Sequence, residues 1–249
     1  MIDEFRESGY SPRDLRPPRT SSTAGDIKPF HEAILPEGIL RITEFERSFS
    51  TKLGTTFEEV ARLVGAERFS SAVRGYHVTG PVSRRAIRAI EEMTNRMNKG
   101  LTRTYPELVE EVLAVADENG EQRTIIADLY LKDSKGNELF FEMKSPKPNK
   151  GQCLEATDRL LQIHAIRRGG PPRVRTYYAM AYNPYGVDRR TYKHSFTLRY
   201  MDMANQVLIG KEFWDLVGSA GTYEAVLGVY REIGRERGPD MLDQLALGY

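Results

Sequence analysis

Between Val112 and Ser145 the chain reads VLAVADENGEQRTIIADLYLKDSKGNELFFEMKS, three apolar stretches separated by two clusters of turn residues. Asn119-Gly120 and the Ser134–Asn137 cluster tolerate positive φ, so the segment is expected to form three strands joined by tight turns, an antiparallel meander. A strand exposes half of its backbone groups to a neighbour and needs its apolar face covered, so the rest of the chain must supply that cover. The flanking sequence has the helical period to do so. Stretches near 39–49 and 56–66 carry apolar residues at three- and four-residue spacing, among them Phe57, Val60, Ala61 and Val64, with Thr55 or Thr56 as cap. A third helix is expected from Pro81 to Lys99, with Ala86, Ile90, Met93 and Met97 on one face. After Pro148, Cys153, Leu154, Thr157, Leu160, Leu161 and Ala165 recur at helical spacing until Gly169-Gly170-Pro171-Pro172. A strand at 174–182 and short helices near 210–217, 222–236 and the C-terminus complete the pattern. The expectation is an α/β fold with a mixed sheet and helices on both faces. Residues 1–36, rich in Pro, Arg and Ser, are expected to be an arm or irregular segment, and residues 37–249 a single domain.

Charge is informative through its distribution. The net charge is only +1, which argues against a protein that coats nucleic acid by bulk electrostatics. Yet Leu101–Lys144 holds ten acidic and five basic residues, whereas Ser145–Tyr200 holds three acidic and eleven basic. An acidic segment followed by a basic one suits a metal site beside a phosphate-binding surface. The N-terminal residues MIDEFRESGY lead into no apolar run, so neither a secretory signal nor a membrane span is expected, and the cytoplasm is the expected location. The single cysteine, Cys153, has no partner for a disulfide or a zinc site and is expected to be buried.

In ELFFEMKS, strand alternation points Phe140, Glu142 and Lys144 to one face. In the preceding strand Ile126, Asp128 and Tyr130 share a face, and the short turn makes the strands neighbours, so Asp128 can approach Glu142. The spacing acid, any residue, lysine also occurs at Asp26–Lys28 and Asp133–Lys135, but only Glu142 and Lys144 lie in an apolar strand beside another strand with a central acid. Asp128 is bracketed by IIA and LYL, where an unpartnered carboxylate is costly to bury, so a cation or metal is expected beside it. The strand then runs into SPKPNKGQ, a basic loop that opens a helix, and helix N-termini favour phosphate. A cross-strand ion pair on a solvated sheet face is the simpler alternative.

These residues resemble the PD-(D/E)xK nuclease superfamily, and most closely its TdeIII-like type II restriction endonucleases, through SFSTKLGTTFEEVA, IIADLYL and FFEMKSPKPNKGQ. The position before Asp128 is Ala127 and not the proline of the superfamily name. The resemblance implies a restriction-endonuclease-like core of helix, three-strand meander, helix and strand over about 54–182. It implies that Asp128 and Glu142 bind magnesium, with manganese as substitute, that Lys144 orients or activates the attacking water, and that a glutamate of the early helix, Glu58 or its neighbour Glu59, supports the site. The Met143 carbonyl is expected as a further metal ligand. Such an enzyme would cut double-stranded DNA at a short palindrome, leave 5′-phosphate ends, act as a homodimer and need no organic cofactor. A structure-specific repair nuclease, a junction resolvase and a non-cleaving DNA-binding protein are the alternatives.

DNA contact is expected from Lys147, Asn149, Lys150 and Gln152, which follow the catalytic strand, and from Arg173, Arg175, Asn183, Arg189, Arg190 and Lys193, whose types can reach phosphates and base edges. His164 and His194 are expected to be structural or surface residues.

Overall fold

The computed structural model of the chain describes residues 29–35, 37–100, 103–168 and 173–247. The expected arm therefore lies outside the described residues, apart from a short helix α1 (Pro29–Ile34). The contacts divide into two compact units, one from the residues up to Thr56 together with those from Ala225 onward, the other Phe57–Glu224. The first contains the start of α2 (Glu37–Ala66) and most of α8 (Thr222–Leu247).

The second unit is built on a five-stranded sheet in the order β1 to β5: β1 (Ser71–Val82), β2 (Glu121–Lys132), β3 (Glu138–Met143), β4 (Val174–Met180) and β5 (Val207–Ile209). β1 and β2 pair antiparallel from Ser71 opposite Lys132 to Val82 opposite Glu121, and β2 pairs antiparallel with β3. β3, β4 and β5 run parallel. One face packs on α3 (Arg84–Met97), α4 (Tyr105–Leu113), α5 (Lys150–Arg167) and α6 (Ser195–Tyr200), with Tyr130, Phe140 and Tyr178 of the sheet inside that core. On the other face Phe141 meets Phe213 of α7 (Lys211–Val217) edge-on, and a side chain at Gly65 of α2 would strike Leu131. Helices therefore cover both faces, as the periodicity predicted.

The meander is present, but its first strand is β1 and not the stretch before Asn119. VLAVA ends helix α4 instead. That helix begins at a Thr104–Glu107 capping box with Pro106 in its first turn, and its apolar residues Leu108 and Val112, four apart, face the core. β1 is hard to read in sequence because Gly75, Gly80 and Pro81 punctuate it. The link from β1 to β2 thus holds α3 and α4 where a tight turn was expected. Gly120 is nevertheless required, since a Cβ there would lie 2.1 Å from the Val82 carbonyl oxygen. The helices expected at 39–49 and 56–66 are one continuous helix, α2, which passes through Gly54. α3 starts at Arg84, three residues after Pro81, because the Ser83 side chain accepts from the Ala86 N–H and caps it.

Candidate active site

The site forms where two paired strands separate. The last backbone pair of β2 and β3 is Leu129 with Phe141. Beyond it, the Met143 N–H donates to Asp128 Oδ2 at 2.7 Å, so the carboxylate takes the place of a backbone carbonyl. In an extended strand the N–H and C=O of one residue turn toward the same neighbour, so the Met143 carbonyl faces the Asp128 side as well. On the other edge of β2, the pairing with β1 skips from Arg74 opposite Leu129 to Tyr76 opposite Ala127, with Gly75 between them at φ 61. A residue with a side chain would be strained in that conformation, and the kink lies directly across from Asp128.

Lys144 extends past the end of β3 and brings Nζ to 2.9 Å from Glu142 Oε1 and 3.3 Å from Asp128 Oδ2. Glu142 is buried, with its side chain 3% exposed, and its second oxygen lies 3.4 Å from Arg159 Nε of α5. Arg159 is held in turn by donating to the Ile126 carbonyl of β2 at 2.6 Å. From the helix on the opposite face, Glu58 pairs with Arg74 Nε at 2.8 Å.

The acids act on one another electrostatically. Burial raises the Glu142 pKa, and the nearby Asp128 carboxylate raises it further, against the pull of Lys144 and Arg159. Glu58 is raised for the same two reasons, burial first and Asp128 second. Its neighbour Glu59 is turned to Arg62 of the same helix, which holds its carboxyl below the usual range. Of the two glutamates proposed for the early helix, only Glu58 feels Asp128. For Lys144 burial pulls the pKa down, but Asp128 and Glu142 more than offset it and keep the ammonium charged.

Among the described residues no three side chains of the His, Cys, Asp and Glu types gather closely enough to enclose a metal alone. Two carboxylates and a carbonyl are sufficient for a hard cation such as magnesium, which keeps several waters and takes few protein oxygens. The Lys144 ammonium, bridging Asp128 and Glu142, already marks the point where positive charge is favoured. The donor set therefore fits a divalent metal of this kind.

The family described as "Type II restriction endonuclease, HinfI" matches residues 13–234. The chain belongs to this family of type II restriction endonucleases. Its members are site-specific deoxyribonucleases. The type II restriction enzyme HgiBI of Herpetosiphon aurantiacus is 40% identical, with 96% of this chain and 91% of the relative aligned. HgiCII of the same organism is 41% identical over 90% of this chain and 84% of the relative. The more distant type II restriction enzyme MjaII of Methanocaldococcus jannaschii is 24% identical over 79% of this chain and 56% of the relative. No solved structure matches the chain.

The residues of this HinfI-type endonuclease that sequence marked for DNA contact fall into four groups. Lys147 and Lys193 share the face of Tyr185, and Lys150, three residues after Lys147, lies over Tyr200. Asn149 and Gln152 bond each other's backbone N–H groups as the capping box of α5, which engages their side-chain oxygens. Asn183 organises its own loop through Asp188, Thr191 and Tyr185, Arg190 pairs with Asp188, and Arg189 pairs with Glu212 and the Val207 carbonyl. Arg173 and Arg175 stand at the start of β4, the end of the sheet away from Glu142. His164 is buried against Thr176, and burial lowers its pKa to about 4, which fits a structural role.

Sequence reasoning missed the groups that brace the site. Arg74 and Arg159 went unnoticed, although a charge on a helix as widely buried as α5 needs a partner. Tyr178 also went unnoticed, and the part that Tyr192 and His194 play beside it has no signal in the sequence. Their side chains bond the carbonyls of Ser145, Pro146 and Pro148, so three points fix the loop that follows β3. No helix of the described residues is long and apolar enough to cross a membrane.

Proposed function

We propose that this chain is a magnesium-dependent endonuclease that cuts both strands of DNA at a short palindromic sequence and leaves 5′-phosphate ends. The observation that carries this is the meeting of Asp128, Glu142 and Lys144 where β2 and β3 part, in a chain whose relatives are named type II restriction enzymes. Asp128, Glu142 and the Met143 carbonyl hold the ion, and manganese, with similar preferences for oxygen ligands, substitutes. A divalent cation bound there supplies charge to the phosphate and lowers the pKa of water.

Lys144 orients the attacking water and offsets the negative charge that grows on the phosphate. The water oxygen bonds to phosphorus as the bond to the 3′ oxygen breaks. That oxygen leaves with a proton as a 3′-hydroxyl, and the phosphate stays on the 5′ side. Arg159 and Arg74 hold Glu142 and Glu58 in position. Lys147, Lys150 and Lys193 approach the DNA backbone, and some of the remaining arginines read bases. The enzyme works in the cytoplasm, and because a palindrome has twofold symmetry it acts as a homodimer.

The test is digestion of a long unmethylated DNA with magnesium, with manganese and with chelator, followed by sequencing of the fragment ends. Discrete fragments with a common palindromic end, dependent on metal and ligatable through 5′ phosphates, are expected. Nicking that follows DNA structure and not sequence would favour a repair nuclease, and cleavage in chelator would remove the proposed mechanism.

A further inference from the structure

Beyond the catalytic strand, two tyrosine rings each carry two cations. Lys147 and Lys193 place their ammonium groups 5.4 and 5.5 Å from the centroid of Tyr185, and Lys150 and Arg199 sit 5.4 and 5.5 Å from that of Tyr200. No ion pair engages any of the four among the described residues, whereas Arg189 and Arg190 close by are both paired with acids. Lys147, Lys193 and Arg199 are exposed, while Tyr200 is buried beneath its cations and Tyr185 half-buried beneath its own.

Two cations that share a ring and have no ion pair to an acid repel each other until an anion arrives. The rings explain how they are held. An aromatic face attracts a cation without neutralising it, so it can fix a lysine head and leave its charge available. The platform is firmly mounted. Tyr185 packs edge-on against buried Tyr192, whose hydroxyl donates to the Pro146 carbonyl at 2.7 Å. Lys147 itself lies three residues beyond Lys144, within about 11 Å along the chain.

We infer that the Tyr185 and Tyr200 platforms are binding sites for the phosphates of one DNA strand flanking the phosphate that is cut, and that Arg199, Tyr185 and Tyr200 belong to the DNA interface with the three lysines. The inference rests on the reading of the chain as a DNA endonuclease and deepens it. Contact of this kind carries charge and position but no base sequence.

The test is binding of a fluorescent duplex of mixed sequence, in calcium to support binding without relying on cleavage, from 50 to 300 mM KCl. Removing a cation that neutralises a phosphate should flatten the slope of log K against log salt by about 0.9, so Lys147→Ala with Lys193→Ala should flatten it by about 1.8. Arg199→Ala should do so by about 0.9, equally on duplexes of different sequence. Tyr185→Leu should weaken binding although it removes no charge, while Tyr185→Phe keeps the ring and should bind as the wild type does. Lys135→Ala, in the turn at the other end of the sheet, serves as control. The platforms are disproved if the lysine and arginine variants keep the wild-type slope, or if their losses depend on base sequence. Failure of the wild type to bind duplex DNA at all would remove the endonuclease reading and this inference with it, which distinguishes the two failures.

Discussion

β3 carries two buried glutamates four residues apart on the same face, and their surroundings differ in one respect that matters. Glu138 receives the Tyr130 hydroxyl at 2.9 Å and pairs with Arg167 Nε at 3.1 Å, and Arg167 also stacks over Phe140. Each charge there meets its opposite, and no second acid lies among those partners. Glu142 also has cations beside it, Lys144 and Arg159, but it shares Lys144 with Asp128, and that second carboxylate raises its pKa. A buried acid with one opposite charge is a structural pair. A buried acid set against another acid at the point where two strands part is a site that gains from a cation.

The two ends of β3 should respond to mutation in opposite ways. The largest effect belongs to the open end. Asp128→Ala or Lys144→Ala should lower DNA cleavage by about 10³-fold or more while the fold and duplex binding persist, measured by single-turnover cleavage beside thermal melting. Next comes the closed end. Arg167→Met leaves Glu138 buried without its cation and should cost stability toward the lower end of about 3–5 kcal/mol, because Arg167 is itself partly exposed. Adding Glu138→Gln to it should recover most of that loss in urea denaturation. The smallest effect appears with pH. A carboxylate whose folded pKa is raised binds its proton more tightly in the native state, so the metal-free protein should lose stability as the pH rises from near 4.5 through the raised value. Glu142→Gln should lack that loss and be the more stable protein at neutral pH in chelator. If it were the less stable one, Glu142 would be a structural partner like Glu138.

The meeting of acids at the Glu142 end of β3 is legible in the sequence because its signals are local. Alternation along β3 and the short turn from Lys132 to Glu138 bring Asp128, Glu142 and Lys144 into proximity without knowledge of the rest of the fold. Contacts made over long separations stayed hidden. Glu58 with Arg74 joins α2 to β1, Arg159 reaches from α5 to both β2 and β3, and Tyr192 reaches back to Pro146. None of these has a period to reveal it. β1 was obscured because its glycines and proline read as turns, although Gly75 serves as a kink beside the site. Arg189 looked like a DNA ligand by type, and only Glu212, which comes near it in the fold, shows that its charge is engaged.

The central claim is that Asp128 and Glu142 together hold a divalent cation, and calorimetric titration of manganese into the wild type, Asp128→Ala, Glu142→Gln and Glu138→Gln tests it without reference to cleavage. Binding by the wild type and Glu138→Gln, with loss of binding in Asp128→Ala and Glu142→Gln, is the expected result. Undiminished binding by Asp128→Ala and Glu142→Gln would contradict it.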